Sequence, residues 1–143
     1  MISPKADVLL VEDSAAEARL AREALRETRS TVELHVASDG EQAMEFLRRQ
    51  GAFHNAPRPQ LVLLDLNLPR KDGREVLRDI KADADLRSIP VVVLTTSQAQ
   101  SDISRAYDLQ ANCYIQKPLE LDGFIEIVQS IHRYWLQMAE FPA

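Results

Sequence analysis

Four apolar runs, each only four residues long, lead straight into residues with chemistry. Val8-Leu9-Leu10-Val11 runs into Glu12-Asp13, Leu61-Val62-Leu63-Leu64 into Asp65, Val91-Val92-Val93-Leu94 into Thr95, and Cys113-Tyr114-Ile115-Gln116 into Lys117-Pro118. Runs this short and this rich in Val and Leu read as strands buried on both faces, the mark of a parallel sheet. In open parallel sheets, ligands sit at the carboxyl ends of the strands, where the strand order reverses. Three carboxylates, one hydroxyl and one ammonium are therefore expected to meet on one rim.

The segments between the runs are helical in pattern. Ser14-Ala15-Ala16-Glu17 has the form of a capping box, followed by Ala18, Ala21 and Leu25 at helical spacing to about Thr28. Val32 to Val36 reads as a further strand. Ser38-Asp39-Gly40-Glu41 reads as a second capping box, opening a helix through Ala43, Met44 and Leu47 to about Arg49. Gly51 to Pro59, with Gly51, Pro57 and Pro59, reads as a longer surface loop. Asp72-Gly73-Arg74-Glu75 starts a helix carrying Val76, Leu77 and Ile80. Ser97-Gln98-Ala99-Gln100 caps another with Ile103, Ala106, Tyr107 and Leu109. The last helix is expected from about Glu120 to Met138. Five β-α repeats predict an α/β fold: a five-stranded parallel sheet, doubly wound, in the flavodoxin-like order 2-1-3-4-5. That order sets strands one and three side by side at the switch point.

The 143 residues suit one domain, with a core over about 6–138 and a short tail at 139–143. A net charge of -5 favours neither nucleic acid nor an anionic membrane as partner. No apolar stretch reaches the length of a membrane span and no signal-peptide pattern opens the chain, so a cytoplasmic protein is expected. The single cysteine, Cys113, reads as a buried small residue in a reducing compartment.

Glu12, Asp13 and Asp65 at adjacent strand ends repel one another, so one has a raised pKa unless a cation is bound. Mg²⁺ fits, being hard and commonly held by one or two carboxylates plus phosphate oxygens. Helix capping accounts for Asp13 alone, not for three converging acids. Asp65 is the candidate nucleophile, since a carboxylate can attack phosphorus to give an acyl phosphate. Phosphoryl transfer needs in-line placement and neutralised equatorial oxygens. Lys117 offers a positive charge, Thr95 a hydrogen bond, and backbone N–H groups near Asn67 and Thr96 further donors. The Lys117-Pro118 bond admits either isomer, and a cis form would aim Lys117 across the rim.

Glu12-Asp13, Asp65, Pro69-x-x-Asp72-Gly73, Thr95, Tyr114 and Lys117-Pro118 together resemble the receiver domain of two-component response regulators, over about residues 6 to 138. The resemblance implies that Asp65 accepts phosphate from the phosphohistidine of a histidine kinase. It implies that Asp13, Asp65 and the Asn67 carbonyl hold Mg²⁺, with Glu12 acting through water. It implies a switch in which the Thr95 hydroxyl moves toward the phosphate and the Tyr114 ring turns inward. Leu66-Asn67-Leu68-Pro69, Leu94-Thr95-Thr96-Ser97, the Gly51–Pro59 loop and the aromatic C-terminal helix are most similar to stand-alone receivers that accompany bacterial phytochromes. A phytochrome histidine kinase is the partner this implies. Leu68 stands where Met is frequent, and Thr96, where Ala or Gly is frequent, narrows access to the phosphoryl group.

With the sequence stopping soon after the fifth helix, a signalling module without a covalently attached output domain such as a DNA-binding domain is expected. A rival reading is an Mg²⁺-dependent phosphohydrolase with an aspartyl nucleophile. Such enzymes carry a second acid two residues after the nucleophile, a position held here by Asn67. A flavodoxin-like FMN binder would need a Ser/Thr/Gly-rich phosphate loop after strand one, which this chain lacks. On the first helix, Leu20 falls opposite the stripe of Ala18, Ala21 and Leu25, beside Ala16, Glu23 and Glu27, and reads as a kinase-docking residue. On the last helix, Phe124, Ile127, Val128, Ile131 and Trp135 form the expected core stripe. Ile125, Tyr134, Leu136, Met138 and the following Phe141 widen it, predicting a homodimer through the C-terminal helix.

Overall fold

The computed structural model of the chain describes residues 6–28 and 31–138. In chain order the elements are β1 (Ala6–Val11), α1 (Ala15–Glu27), β2 (Val32–Ala37), α2 (Gly40–Arg48), β3 (Leu61–Leu64), α3 (Gly73–Ala82), β4 (Val91–Thr95), α4 (Gln100–Asp108), β5 (Cys113–Gln116) and α5 (Leu121–Ile131). A short 3-10 turn, Gly51–Phe53, stands in the loop after α2, and a π-helical segment, His132–Met138, continues α5. All strand pairs are parallel and the order is β2-β1-β3-β4-β5, as expected.

The central strands carry unbroken apolar runs of four residues because both of their faces are covered. Leu9, Val11, Val62, Leu64, Val91 and Val93 pack with Met44, Phe46, Val76, Leu77 and Ile80 of α2 and α3. Their neighbours Val8, Leu10, Leu61, Leu63, Val92 and Leu94 pack with Ala21, Ala24, Leu25, Phe124, Val128 and Ile131 of α1 and α5. Alternation of side chains along a strand divides each run between the two layers. β5 departs from the expectation of two buried faces: it is an edge strand, with Cys113, Tyr114 and Ile115 half-buried and Gln116 exposed. Only β4 covers it laterally, so Cys113 is half-buried too, and that burial pushes its thiol pKa up.

Helix starts follow the expected positions with different caps. Ser14 caps α1, its Oγ accepting from Glu17 N at 3.2 Å, but the Ser14 N–H is taken by Glu12 Oε2 at 3.2 Å instead of by Glu17. For α2 the cap is Asp39, one residue later than the expected Ser38, with Oδ1 accepting from Gln42 N at 2.8 Å. Ser97 does not cap α4, whose N-cap is Ala99, because its hydroxyl donates to Asp102 at 2.6 Å. Leu20 is half-buried against the α1/α5 core and does not stand free on a wet face. Of the expected α5 stripe, Phe124, Val128 and Ile131 are buried, while Ile127 and Trp135 are half-buried against the same layer. The tail 139–143 with Phe141 lies outside the described residues, as does the side chain of Met138. Among the described residues no helix is long and apolar enough to cross a membrane.

Two details aim the carboxyl rim. Backbone ladder bonds continue past the strand ends: Glu12 N to Ala37 O at 2.9 Å, Asp65 N to Val11 O at 3.1 Å and Lys117 N to Thr95 O at 2.6 Å. Gly73 lets α3 start against the phosphoacceptor candidate's own backbone, since a Cβ there would lie 2.2 Å from the Asp65 carbonyl oxygen. The Lys117–Pro118 bond is trans.

Candidate functional site

The chain ladder carries four expected side chains into one buried cluster: Glu12, Asp65, Thr95 and Lys117. Asp65 stands at the end of β3, between the ends of β1 and β4. Its Oδ1 accepts from the Thr95 hydroxyl at 2.9 Å and from the Asn67 N–H at 3.1 Å. Its Oδ2 accepts from Lys117 Nζ at 3.0 Å. Lys117 also donates to Glu12 Oε1 at 2.6 Å and to Glu17 Oε2 at 2.8 Å. All three ammonium protons are therefore used, each on a different carboxylate.

Charge in this cluster is unequally shared. Burial pushes the Glu12 pKa up to about 7, reinforced by the Glu17 carboxyl and opposed by Lys117 and the Ser14 N–H. Burial also works against the charge of Lys117, but its hydrogen bonds to Glu12, Glu17 and Asp65 outweigh that and hold its pKa above the lysine range. For Glu17, burial is outweighed by hydrogen bonding to Glu12 and Lys117, which lowers its pKa. Three acids around one cation leave an excess of negative charge, so the site favours one more positive group or a proton.

Carboxylate oxygens of Glu12, Glu17 and Asp65 lie within 4.8 Å of one another. An all-oxygen donor set of this density suits a hard divalent cation. Asp13 is exposed and stands outside that group, on the wall of an open pocket of about 380 Å³ shared with Glu12, Arg19, Arg22 and Ser38. Asn67 is exposed at the rim, with its N–H on Asp65. Thr96 is exposed. Tyr114 is half-buried and its hydroxyl donates to the Ser97 carbonyl at 3.0 Å. Glu17 was legible in the sequence only as the last residue of a capping box. Its place three residues past the cap, on the turn that faces the strand ends, is the signal that could have added it to the site.

Residues 8–129 match the response regulator receiver domain family. The chain belongs to that family. It is 49% identical over 141 residues to the response regulator Rcp1 of Synechocystis, covering 99% of this chain and 96% of that relative. The Mn(2+)-bound crystal structure of Rcp1 superposes with a TM-score of 0.93 at 50% identity, covering 98% of this chain and 100% of that one. The phosphorylated cyanobacterial phytochrome response regulator RcpA superposes with a TM-score of 0.94 at 48% identity, again covering 98% and 100%.

Proposed function

We propose that this chain is a single-domain response regulator that takes a phosphoryl group on Asp65 from the phosphohistidine of a histidine kinase. The observation that carries the reading is the bonding of Asp65: a buried carboxylate with Oδ1 on Thr95 and Asn67 and Oδ2 on Lys117. An Asp65 oxygen attacks phosphorus as the P–N bond to the kinase histidine breaks, the electron pair returning to the imidazole nitrogen. Lys117 and the Thr95 hydroxyl are within reach of the oxygens of a group on Asp65, where they neutralise charge and orient it. In this reading Asp13, from the wall of the neighbouring pocket, Asp65 and the Asn67 carbonyl would hold Mg²⁺, with Glu12 acting through water; when bound, the ion supplies positive charge to the phosphoryl oxygens.

Thr95 and Tyr114 form the switch in this reading. Thr95 gives up Asp65 Oδ1 for a phosphoryl oxygen, and Tyr114 gives up the Ser97 carbonyl and turns inward. The protein acts in the cytoplasm as a phosphoacceptor and not as an enzyme of multiple turnover, without nucleic acid or membrane as partner. Similarity to RcpA along 98% of the chain supports a phytochrome histidine kinase as the donor. A second copy of the chain, bound through α5 and the π segment, completes the assembly.

Labelled phosphate offered as acetyl phosphate or through a kinase, with Mg²⁺, tests the central claim. Wild type is expected to take up at most one label per chain and lose it slowly. Asp65→Asn keeps the shape, removes the nucleophile and is expected to take up none. Uptake by Asp65→Asn at the wild-type rate would overturn the assignment.

A further inference from the structure

We infer that Glu17 is a positioning residue that keeps one N–H of Lys117 from the phosphoryl group and thereby restrains phosphorylation of Asp65. The inference rests on the phosphoacceptor reading above and goes beyond it, because Glu17 is neither nucleophile nor switch there. Glu17 sits in the first turn of α1, three residues past the Ser14 cap. An acid at that position ordinarily turns back to the cap N–H. Here Glu12 Oε2 already occupies the Ser14 N–H at 3.2 Å. The Glu17 carboxylate is left to cross the rim and take one proton of Lys117 at 2.8 Å.

The consequence follows from the count of donors. Lys117 has three N–H groups and they are divided among Glu12, Glu17 and Asp65. Pairing with a phosphoryl oxygen requires one of these bonds to open. Glu12 and Asp65 are buried, and their bonds to Lys117 are shielded from water; Glu17 is partly exposed, at 35% for the side chain, and is the partner that water can replace. Releasing Lys117 from Glu17 is therefore the least costly opening. Glu17 also adds a negative charge at the mouth of a site that must admit an anionic donor, so it acts on donor binding as well as on the transfer step. With acetyl phosphate, an Asp65 oxygen bonds to phosphorus as the P–O bond to the acetyl group breaks and acetate leaves with the electron pair.

The test compares wild type, Glu17→Gln and Glu17→Asp in the full chain with Mg²⁺ and acetyl phosphate over a range of concentrations. Glu17→Gln is expected to raise the maximal rate of labelling roughly twofold to fivefold, the range for losing one partly exposed charge partner. It is also expected to lower the acetyl phosphate concentration at half-maximal rate. Glu17→Asp keeps the charge and is expected to return most of the restraint. In parallel, the ¹H–¹⁵Nζ resonance of the Lys117 ammonium is recorded without any phosphoryl donor. It is expected to shift in Glu17→Gln and to stay near wild type in Glu17→Asp. An unmoved resonance, or a labelling rate that stays level or falls in Glu17→Gln, overturns the inference. If the resonance moves while wild type takes up no label, the phosphoacceptor reading fails and the restraint fails with it, although the contact stands.

Discussion

Glu12 is the residue on which pH acts. Its pKa is pushed from 4.5 up to about 7, chiefly by burial. Between those values the unfolded chain has lost the proton and the folded chain still holds it. The ion-free fold therefore loses stability as pH rises through that window. A divalent cation held beside Glu12 would reverse the preference, because its charge favours the ionised carboxylate and drives the proton off. Apparent Mg²⁺ affinity is expected to rise about tenfold between about pH 6 and pH 8, with proton release on binding. Calorimetry in buffers of different ionisation enthalpy measures both. Glu12→Gln is expected to bind more weakly with a flat profile, and a flat profile in wild type would sink the idea. The residues that meet here were largely legible from sequence, because a parallel ladder delivers the residue at or just past each strand end to the same rim. Glu12, Asp65, Thr95 and Lys117 follow from that rule alone. Glu17 did not, since its contact depends on Glu12 having taken the cap N–H, a choice between two similar acids that local pattern does not encode.

Between elements, one polar chain crosses from α3 to β5. Arg74 of α3 holds Asp102 of α4 through Nε at 2.9 Å and Nη2 at 2.8 Å, and turns Nη1 to Asp72 at 3.0 Å. Asp102 accepts the Ser97 hydroxyl at 2.6 Å, and the Ser97 carbonyl accepts from Tyr114 at 3.0 Å. The start of α4 is thus tied to the start of α3, a helix packed against Asp65. A bidentate, half-buried pair of this kind contributes about 1 kcal/mol. Asp102→Asn is expected to lower the melting temperature by roughly 3 °C. Amides from about Gln98 to Ile103 are expected to exchange faster, and unchanged protection there would show that the tie does not hold α4. This network also shows why α4 starts at a different cap from the one its sequence pattern predicts. A hydroxyl or carboxyl near a helix start has several donors and acceptors in reach, and tertiary partners decide among them, as Ser97 shows by choosing Asp102. Strand order and helix number were legible because hydrophobic period and crossover handedness leave few layouts. The half-exposure of β5 was not, because an apolar run does not say whether it lies in the middle or at the edge of a sheet.

At the scale of the whole molecule, the proposed self-association rests on α5 and the π-helical segment that follows it. Leu136, expected in the widened apolar band, is half-buried beside Trp135 of the core stripe against the protein's own α1/α5 layer, so part of the apolar excess is used within one subunit. Tyr134 remains 58% exposed, its ring edge-on to Trp135 at 5.4 Å, and Leu121 at the start of α5 is 53% exposed. Through the π-helical segment His132–Met138 the stripe is carried on by Trp135, while Tyr134 beside it faces outward. An exposed tyrosine braced by a half-buried tryptophan is a rigid amphipathic anchor of the type that dominates interfaces. A two-fold pairing of this surface with a second copy is the proposed closed arrangement. Sedimentation at tens of micromolar, about the range in which a modest interface still holds, is expected to give a dimer for the full chain. A chain ending at Arg133 is expected to run as a monomer. Because that truncation also strips Trp135 and Leu136 from the core, Tyr134→Glu is the cleaner variant: it charges an exposed position and leaves the core contacts in place. It is expected to sediment as a monomer with a wild-type melting temperature. A full chain that is monomeric at these concentrations, or a Tyr134→Glu variant that still pairs, would remove this surface as the site of self-association.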